Sequence, residues 1–246
     1  MNELFGFTRA AATARYALLT PDGFVASQLP GWKNCVAVVN ISPALGAKFS
    51  QLQITFNRGG AGGGSTGVLE HFVYVMAGHC AGKVGGRKIS LAAGGYILIP
   101  PATDFRFGGA AGTRLLIFQK KYEALAGVNP PALVVGQQKE GGARPFLGYK
   151  EARLQVLLPE RAEFDLAVNI FTYEPGATLP FVESHVMEHG ILMLRGQGIY
   201  RLAADWHPVQ AGDAIWMAPF CPQWFVAMGP TPASYIYYKD VNRPPL

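Results

Sequence analysis

Four side chains in the second half of the chain have the types and the spacing of a metal site. Glu183, His185 and His189 lie close together, and Gln223 follows in a proline-containing segment. We interpret the first stretch as a strand and tight turn, in which side chains two residues apart point to the same face. The carboxylate, the two imidazoles and the amide oxygen of Gln223 would then form a mixed oxygen and nitrogen shell, which suits Mn, Fe or Zn.

A histidine on an apolar segment is more often a hydrogen-bonded core residue than a metal ligand. Here two of the five histidines of the chain fall within five residues of each other, and a glutamate lies in phase with them. This coincidence favours the metal interpretation. Glu188 has the opposite strand phase, so we expect it to orient a ligand or to face solvent. His207 is predicted to be a turn residue because it lies between Trp206 and Pro208.

The composition favours a β-rich chain without a polymeric partner. Half of the 246 residues are hydrophobic, and the 30 glycines and 18 prolines favour many short strands joined by turns. The net charge is +5, but the lysines and arginines are scattered and form no basic run, so we expect no nucleic-acid partner. A mild positive field would favour small anionic substrates.

The cysteines and the chain start bear on the compartment. Cys35, Cys80 and Cys221 are an odd number without a C-x-x-C pair, so free thiols in a reducing compartment are expected. Cys221 lies near Gln223, but its apolar neighbours predict an inert buried thiol rather than a nucleophile. The first residues lack the pattern of a signal peptide, and no apolar run is long enough to span a membrane. We therefore expect a cytoplasmic protein that has no membrane partner.

The chain contains an internal repeat at an offset of 118 residues. Residues 71–78 match residues 189–196, and each segment is followed by a turn and a second apolar strand. Identical spacing of turn glycines is hard to obtain by chance, because each glycine marks a backbone position that tolerates positive φ. The glycines that keep this spacing are Gly78 and Gly94 in the first copy, and Gly196 and Gly212 in the second.

Two copies of a unit rich in short strands predict an all-β chain of two tandem jelly-roll barrels. We place the boundary within residues 140–145, which gives an N-terminal domain of residues 1–140 and a C-terminal domain of residues 141–246. Residues 59–64 are predicted to be a flexible loop, because this glycine run lacks the Lys-Ser/Thr pair and the following helix of a phosphate-binding loop.

The offset also predicts which copy carries the chemistry. It relates the four candidate ligands to N-terminal positions of which only one has a metal-binding side chain. The N-terminal domain is therefore expected to be metal-free and structural, and the C-terminal domain to hold the metal and the active site. The four N-terminal positions are Ser65, Gly67, His71 and Phe105.

The second copy resembles the cupin superfamily with an exchanged ligand set. Glu183 stands at the first histidine position of the first cupin motif, and His185 keeps the second. His189 replaces the usual glutamate, and Gln223 replaces the histidine of the second motif. This exchanged set is similar to that of the (S)-ureidoglycine aminohydrolase family, and the resemblance extends over essentially the whole chain. Further matching segments are residues 16–23, 196–202, 206–209 and 237–243.

The resemblance implies two double-stranded β-helix barrels of the cupin type and one Mn²⁺ held by Glu183, His185, His189 and Gln223. It also implies hydrolysis of the aminal-like C–N bond of (S)-ureidoglycine, which gives (S)-ureidoglycolate and ammonia in the breakdown of purines and allantoin. Irving–Williams preferences mean that the purified protein is also expected to accept Zn²⁺ or Fe²⁺.

The resemblance places substrate contacts on Tyr200, Tyr235 and Lys239, with Glu183 beside the substrate. Strand alternation puts Tyr235, Tyr237 and Lys239 on one face, so Lys239 would point into the barrel beside the cation. We predict that Lys239 is catalytic and shuttles a proton to or from the reacting groups. The alternative is a surface lysine with a partly buried stem, and the tyrosines would then be ordinary core residues.

Other functions fit a metal cupin as well. An iron-dependent dioxygenase would lose activity without oxygen, and a zinc-dependent sugar-phosphate isomerase would need a cluster of basic residues that the sequence does not gather. A non-enzymatic cupin that binds small acids would not need four metal ligands. Residues 235–238 are expected to form a long apolar sheet edge, and this edge together with the family resemblance predicts a homo-oligomer.

Overall fold

The computed structural model describes residues 8–139 and 142–243, and its regular structure is almost entirely β. The predicted all-β class is confirmed. Two short 3₁₀ helices cover Pro21–Gly23 and Pro43–Leu45. The strands are β1 Ala11–Ala12, β2 Tyr16–Leu19, β3 Ala26–Ser27, β4 Trp32–Ile41, β5 Phe49–Ser65, β6 Leu69–Ala77, β7 His79–Val84, β8 Arg87–Ala92, β9 Gly95–Ile99, β10 Asp104–Gly109, β11 Arg114–Lys121, β12 Val134–Gln137, β13 Arg144–Phe146, β14 Tyr149–Val156, β15 Leu166–Tyr173, β16 His189–Arg195, β17 Gln197–Leu202, β18 Asp205–Gln210, β19 Ala214–Met217, β20 Gln223–Met228 and β21 Ala233–Asp240.

The described residues group into two compact units. The N-terminal unit comprises residues 25–139 and 160–165, and the C-terminal unit comprises residues 8–24, 142–159 and 166–243. This grouping differs from the predicted division at residue 140, because β2 pairs with β19 and thereby joins the C-terminal unit. A half-buried ion pair holds the same segment, with Arg9 Nη1 lying 2.5 Å from Asp213 Oδ2.

The N-terminal unit is one sheet in the order β12-β9-β6-β11-β5-β10-β7-β8, to which β4 and β3 add beside β5. Its core forms because alternate residues of each strand are apolar and point to one face. Ile54, Val73, Val75, Ile97 and Leu115 belong to this face and are almost fully buried. In β7, β8 and β10, the residues that alternate with the core positions lie on the outer face of the sheet.

The glycine run is not a loop. Residues 59–64 continue β5, and Gly62 and Gly64 pair with Phe107 and Phe105 of β10. The prediction of a flexible loop was therefore wrong. A Cβ atom on Gly62 would lie 2.0 Å from the ring of Trp32, so glycine is needed here for the close approach of an indole to the strand.

The C-terminal unit packs an eight-stranded sheet, β1-β2-β19-β16-β21-β15-β14-β13, and a three-stranded sheet, β18-β17-β20, around one core. Strand β21 lies between β16 and β15 and is buried. The expectation that residues 235–238 form an apolar sheet edge was wrong, because neighbours on both sides satisfy the backbone of this strand.

The repeat is visible in strand register. His71 of β6 pairs with Ile99 of β9, and His189 of β16 pairs with Met217 of β19, so both partners keep the offset of 118 residues. The three cysteines are free, and Cys80 and Cys221 are buried. Burial raises the pKa of Cys221, which agrees with the inert thiol that we predicted. Within residues 8–139 and 142–243, no helix combines the length and apolar character needed to cross a membrane.

Candidate metal centre

An isolated antiparallel bridge brings two of the predicted ligands together. The amide nitrogen of Glu183 donates to the carbonyl of Gln223, and the amide of Gln223 donates back to Glu183, both at 2.8 Å. Residues that exchange two such bonds lie directly opposite each other, and their side chains point to the same side. The bridge therefore places the Glu183 carboxylate and the Gln223 amide on one face.

His185 reaches the site from a loop. Residues 184–188 contain no strand, and β16 begins only at His189. The prediction that this stretch forms a strand and tight turn was wrong for residues 184–188, although the two histidines still converge. Backbone contacts hold the loop, since the amide of Phe220 donates to the His185 carbonyl at 2.7 Å, and the amide of Glu188 donates to Asp240 Oδ1 at 2.7 Å.

Two imidazoles and one amide meet at the centre. Nε2 of His189 lies 3.0 Å from Nε2 of His185, which lies 3.4 Å from Nε2 of Gln223. Within the described part of the chain, no three His, Cys, Asp or Glu side chains are close enough together to hold a metal ion. The structure thus gathers His185, His189 and Gln223, whereas the Glu183 carboxylate does not join the two imidazoles in such a cluster.

Burial sets the charge of the centre. Loss of water lowers the pKa of His189 well below its usual value, with further lowering by the charges of His185 and Lys239. Burial and then Lys239 also lower the pKa of His185. Burial raises the pKa of Glu183, and Lys239 opposes that rise. Both histidines are therefore neutral near pH 7, and the neutral imidazole is the form that binds metals.

Lys239 lies beside the two histidines. It pairs with His189 across β21 and β16, and directly opposed residues of neighbouring strands point to the same face. Its charge lowers the pKa of both histidines, as expected for an ammonium group nearby. The structure places the predicted catalytic residue next to the donor atoms, in the phase that strand alternation predicted.

Buried tyrosines surround these groups. The hydroxyl of Tyr200 donates to Oε1 of Gln223 at 2.9 Å, and the hydroxyls of Tyr235 and Tyr173 lie 3.0 Å apart. Burial is the main reason that the pKa of each of these three phenols lies well above its usual value. The phenols therefore stay protonated and able to donate hydrogen bonds.

Sequence reasoning missed two residues that support the centre, Tyr173 and Asn169. Tyr173 contacts Tyr235, as described above, and Asn169 Nδ2 donates to the Tyr237 hydroxyl at 3.0 Å. The Tyr237 ring lies 5.5 Å from the His189 ring. A signal was present, because Asn169 and Tyr173 are in the same alternation phase on β15, the strand that pairs with β21. A polar residue in the inward phase of an apolar strand indicates a site.

Two neighbouring predictions have different outcomes. Glu188 is buried, and its Oε2 accepts a hydrogen bond from the Trp216 indole at 3.3 Å, so it does not face solvent. His207 lies within β18 and not in a turn, so that prediction was wrong. His207 is part of a strand because it pairs with Tyr200 of β17, and its Nε2 lies 3.1 Å from the hydroxyl of Tyr16, which donates to Asp205.

The corresponding place in the N-terminal unit is closed. The Phe105 ring packs edge-on against the His71 ring, with centroids 5.4 Å apart. Burial lowers the pKa of His71 to about 4, and its Nε2 finds no hydrogen-bond partner among the described residues. The remaining two positions, Ser65 and Gly67, carry no imidazole or carboxylate. A metal-free N-terminal domain stays a prediction.

Comparison with known proteins identifies the family. The chain is 35% identical over 247 residues to the (S)-ureidoglycine aminohydrolase of Arabidopsis thaliana, which covers 100% of this chain and 82% of that protein. It is 36% identical over 234 residues to the (S)-ureidoglycine aminohydrolase of Escherichia coli (strain K12), and this match covers 93% of this chain and 89% of that protein. The crystal structure of protein Ylba from E. coli matches with a TM-score of 0.85 at 33% identity over 96% of each chain. The family model of the cupin domain matches residues 169–238, which contain the centre described above. The predicted cupin fold is thereby confirmed, and the chain belongs to the (S)-ureidoglycine aminohydrolase family.

Proposed function

We propose that this protein hydrolyses (S)-ureidoglycine to (S)-ureidoglycolate and ammonia, a step in purine and allantoin catabolism. Water supplies the hydroxyl group that replaces the amine at the stereocentre, and the amine leaves with the remaining proton. The observation that carries the proposal is the full-length similarity to proteins of this name, combined with the pair of neutral histidines beside Lys239.

We further propose that Glu183, His185, His189 and Gln223 hold one divalent cation, Mn²⁺ in the cell and Zn²⁺ or Fe²⁺ in some preparations. Two neutral imidazoles, one buried and one half-buried, have their Nε2 atoms 3.0 Å apart and fit this ion, because both nitrogens present ligand atoms to the same small volume. The Gln223 amide and the Glu183 carboxylate would add oxygen ligands from the same face. The bound cation would act as a Lewis acid and would anchor the amino acid part of the substrate.

The protein residues around the cation would orient the substrate and move protons. Tyr200 and Tyr235 stay protonated and would donate hydrogen bonds to the substrate carboxylate or ureido oxygen, and Glu183 would lie beside the substrate. Lys239 would accept a proton from the attacking water or pass one to the leaving amine. Holding the substrate against one face of the centre would select the S enantiomer, because water would then reach only one side of the stereocentre.

The test is ammonia release from freshly generated (S)-ureidoglycine, with metal-depleted enzyme and with enzyme reloaded with Mn²⁺. We expect release above the spontaneous rate only after reloading, and release at the spontaneous rate alone from the R enantiomer. Equal release above that rate before and after reloading would remove the metal from the proposal. Absence of release above the spontaneous rate in every arm would remove the reaction itself.

We also propose a cytoplasmic homo-oligomer. The sheet-edge argument for association no longer holds, but large apolar side chains are exposed near the centre, including Phe181, Val182 and Phe220. Exposed apolar side chains that cluster on one surface commonly mark contacts between subunits. Sedimentation equilibrium would test this proposal, and Phe220→Ser is expected to weaken any assembly that buries this residue.

A further inference from the structure

Three cations line up on the outer face of the N-terminal unit. Arg106 of β10 pairs directly with Lys83 of β7, and Lys83 pairs directly with Lys88 of β8. All three side chains are exposed. We name Arg106, Lys83 and Lys88 the cationic row. Directly opposed side chains of neighbouring strands lie about 5 Å apart, so three positive charges fall within about 10 Å.

No carboxylate in residues 8–139 or 142–243 neutralises the cationic row. Among the described residues, none of its members forms an ion pair, and the nearby carboxylate of Asp104 pairs with none of them. Like charges placed directly opposite each other in a sheet destabilise it. This cost is offset when an anion binds between them, so an unpaired row of this kind indicates an anion site.

A pocket adjoins the cationic row. Its volume is about 850 Å³, and all three cations contribute to its wall. Small residues form much of the rest, namely Ala61, Ala81, Gly82 and Gly108, with the hydroxyl of Ser90 at one side. Ser90 Oγ lies 2.8 Å from Nε2 of His79, which fixes the position of the hydroxyl. Pockets that bind small molecules have volumes of about 300–1,000 Å³.

The fold does not require this arrangement, because the C-terminal unit builds the same row differently. At the offset of 118 residues, Arg106, Lys83 and Lys88 become Trp224, Arg201 and Trp206, which pair in the same register. There the Arg201 guanidinium lies 5.7 Å from the Trp206 ring centre, so its charge is met by an aromatic face. The N-terminal row carries one cation in the place of each of those indoles.

We propose that the N-terminal unit binds a small organic dianion, a phosphate ester or a dicarboxylate, at the cationic row. Two neighbouring cations contact one dianionic group, the third contacts a second oxygen atom, and the small residues leave room for the body of the ligand. A nucleic acid is disfavoured, because a polymer needs a long basic track and the other lysines and arginines of the chain are scattered.

The test is isothermal titration calorimetry of the full-length protein at low ionic strength with inorganic phosphate, succinate and the monoanion acetate. We expect phosphate or succinate to bind with one site per chain and acetate to bind at least about tenfold more weakly. Tighter binding of phosphate than of succinate would indicate that the ligand is a phosphate ester, and the reverse order would indicate a dicarboxylate. Binding of a single-stranded oligonucleotide more tightly than both would overturn the proposal.

Three variants locate the site. The combined change Lys83→Gln, Lys88→Gln and Arg106→Gln should weaken dianion binding by about tenfold or more. Gly108→Val should weaken it as much without altering charge, because a Cβ atom there meets only the Gly60 carbonyl at 3.5 Å and so projects into the pocket. If Gly108→Val does not fold, Ala81→Val should fill the same pocket and weaken dianion binding in the same way.

A matched control removes three exposed cations elsewhere, through Arg114→Gln, Lys121→Gln and Lys150→Gln. This control should bind the dianion as the parent protein does. If the control loses as much affinity as the triple variant of the cationic row, the binding reflects net charge and the proposal fails. It also fails if neither dianion binds to the parent protein.

Discussion

His71 and His189 occupy the same place in the two copies of the repeat, but they have different surroundings. His189 lies beside the His185 imidazole and opposite Lys239, whereas His71 lies beside the Phe105 ring and opposite Gln119. Both histidines are buried, and burial lowers the pKa of both. A histidine at this place is therefore compatible with the fold alone, and only the additional donors make it a candidate ligand.

The largest effect should come from removing the histidines themselves. His185→Ala or His189→Ala should abolish stoichiometric metal binding and reduce turnover by more than about a hundredfold, since loss of even an indirect supporting partner costs up to that factor. The matched change His71→Ala should leave metal content unchanged. Elemental analysis of purified protein, together with ammonia release, measures both quantities. Equal metal loss from His71→Ala would contradict the proposed asymmetry.

A large effect on rate alone should follow from Lys239→Met. Proton transfer by a positioned side chain contributes about 10²–10⁴-fold to a rate, so turnover should fall within this range while the metal remains bound. Gln119→Met serves as the control, because Gln119 pairs with His71 in the N-terminal unit as Lys239 pairs with His189. Turnover close to that of the parent enzyme would show that Lys239 does not carry protons.

An intermediate effect concerns stability against pH. His71 has a pKa of about 4 in the fold and about 6.5 when unfolded, so the unfolded chain binds more protons between these values. Stability should therefore fall as the pH falls through this window, by about 3 kcal/mol in total. His71→Leu should remove this dependence. The check is the difference in free energy of unfolding between variant and parent, measured in urea from neutral pH to about pH 4. A constant difference would contradict the buried neutral state.

The smallest effect should come from exchanging residues between the cationic row and its counterpart in the C-terminal unit. Trp206→Lys removes an exposed cation–π contact and places a like charge opposite Arg201, which should lower the free energy of unfolding by about 1 kcal/mol. Lys88→Trp should raise it by a similar or smaller amount and weaken binding of phosphate. Thermal unfolding measures the first quantity. A higher free energy of unfolding for Trp206→Lys, together with a lower one for Lys88→Trp, would show that the cationic row and its C-terminal counterpart are not equivalent.

Much of this architecture could be predicted because it depends on local periodicity. Turn glycines at a constant spacing predicted the repeat, and strand alternation predicted that Lys239 shares a face with Tyr235 and Tyr237. The glycine run could not be assigned in the same way. Its extended conformation depends on pairing with β10 and on the Trp32 ring, and both partners lie far away in the sequence.

The candidate centre could be predicted in composition but not in geometry. Residue types and spacing indicated the four donors, yet the loop at His185 is held by contacts with Phe220 and Asp240, which no local pattern predicts. Tyr173 and Asn169 were missed for a related reason. Their importance follows only from the pairing of β15 with β21, which brings them beside residues that come much later in the chain.

The strand β2 has a consequence for biosynthesis. Residues near Arg15 leave the ribosome early, but their partners come late, as shown by the hydrogen bond from Arg15 to the Phe220 carbonyl across 205 positions of the chain. The sheet that carries the candidate centre therefore cannot close until about 205 further residues have been made, and such distant pairing slows folding. Until then this segment lacks its native partner, and a chaperone that shields it would favour the native pairing over aggregation.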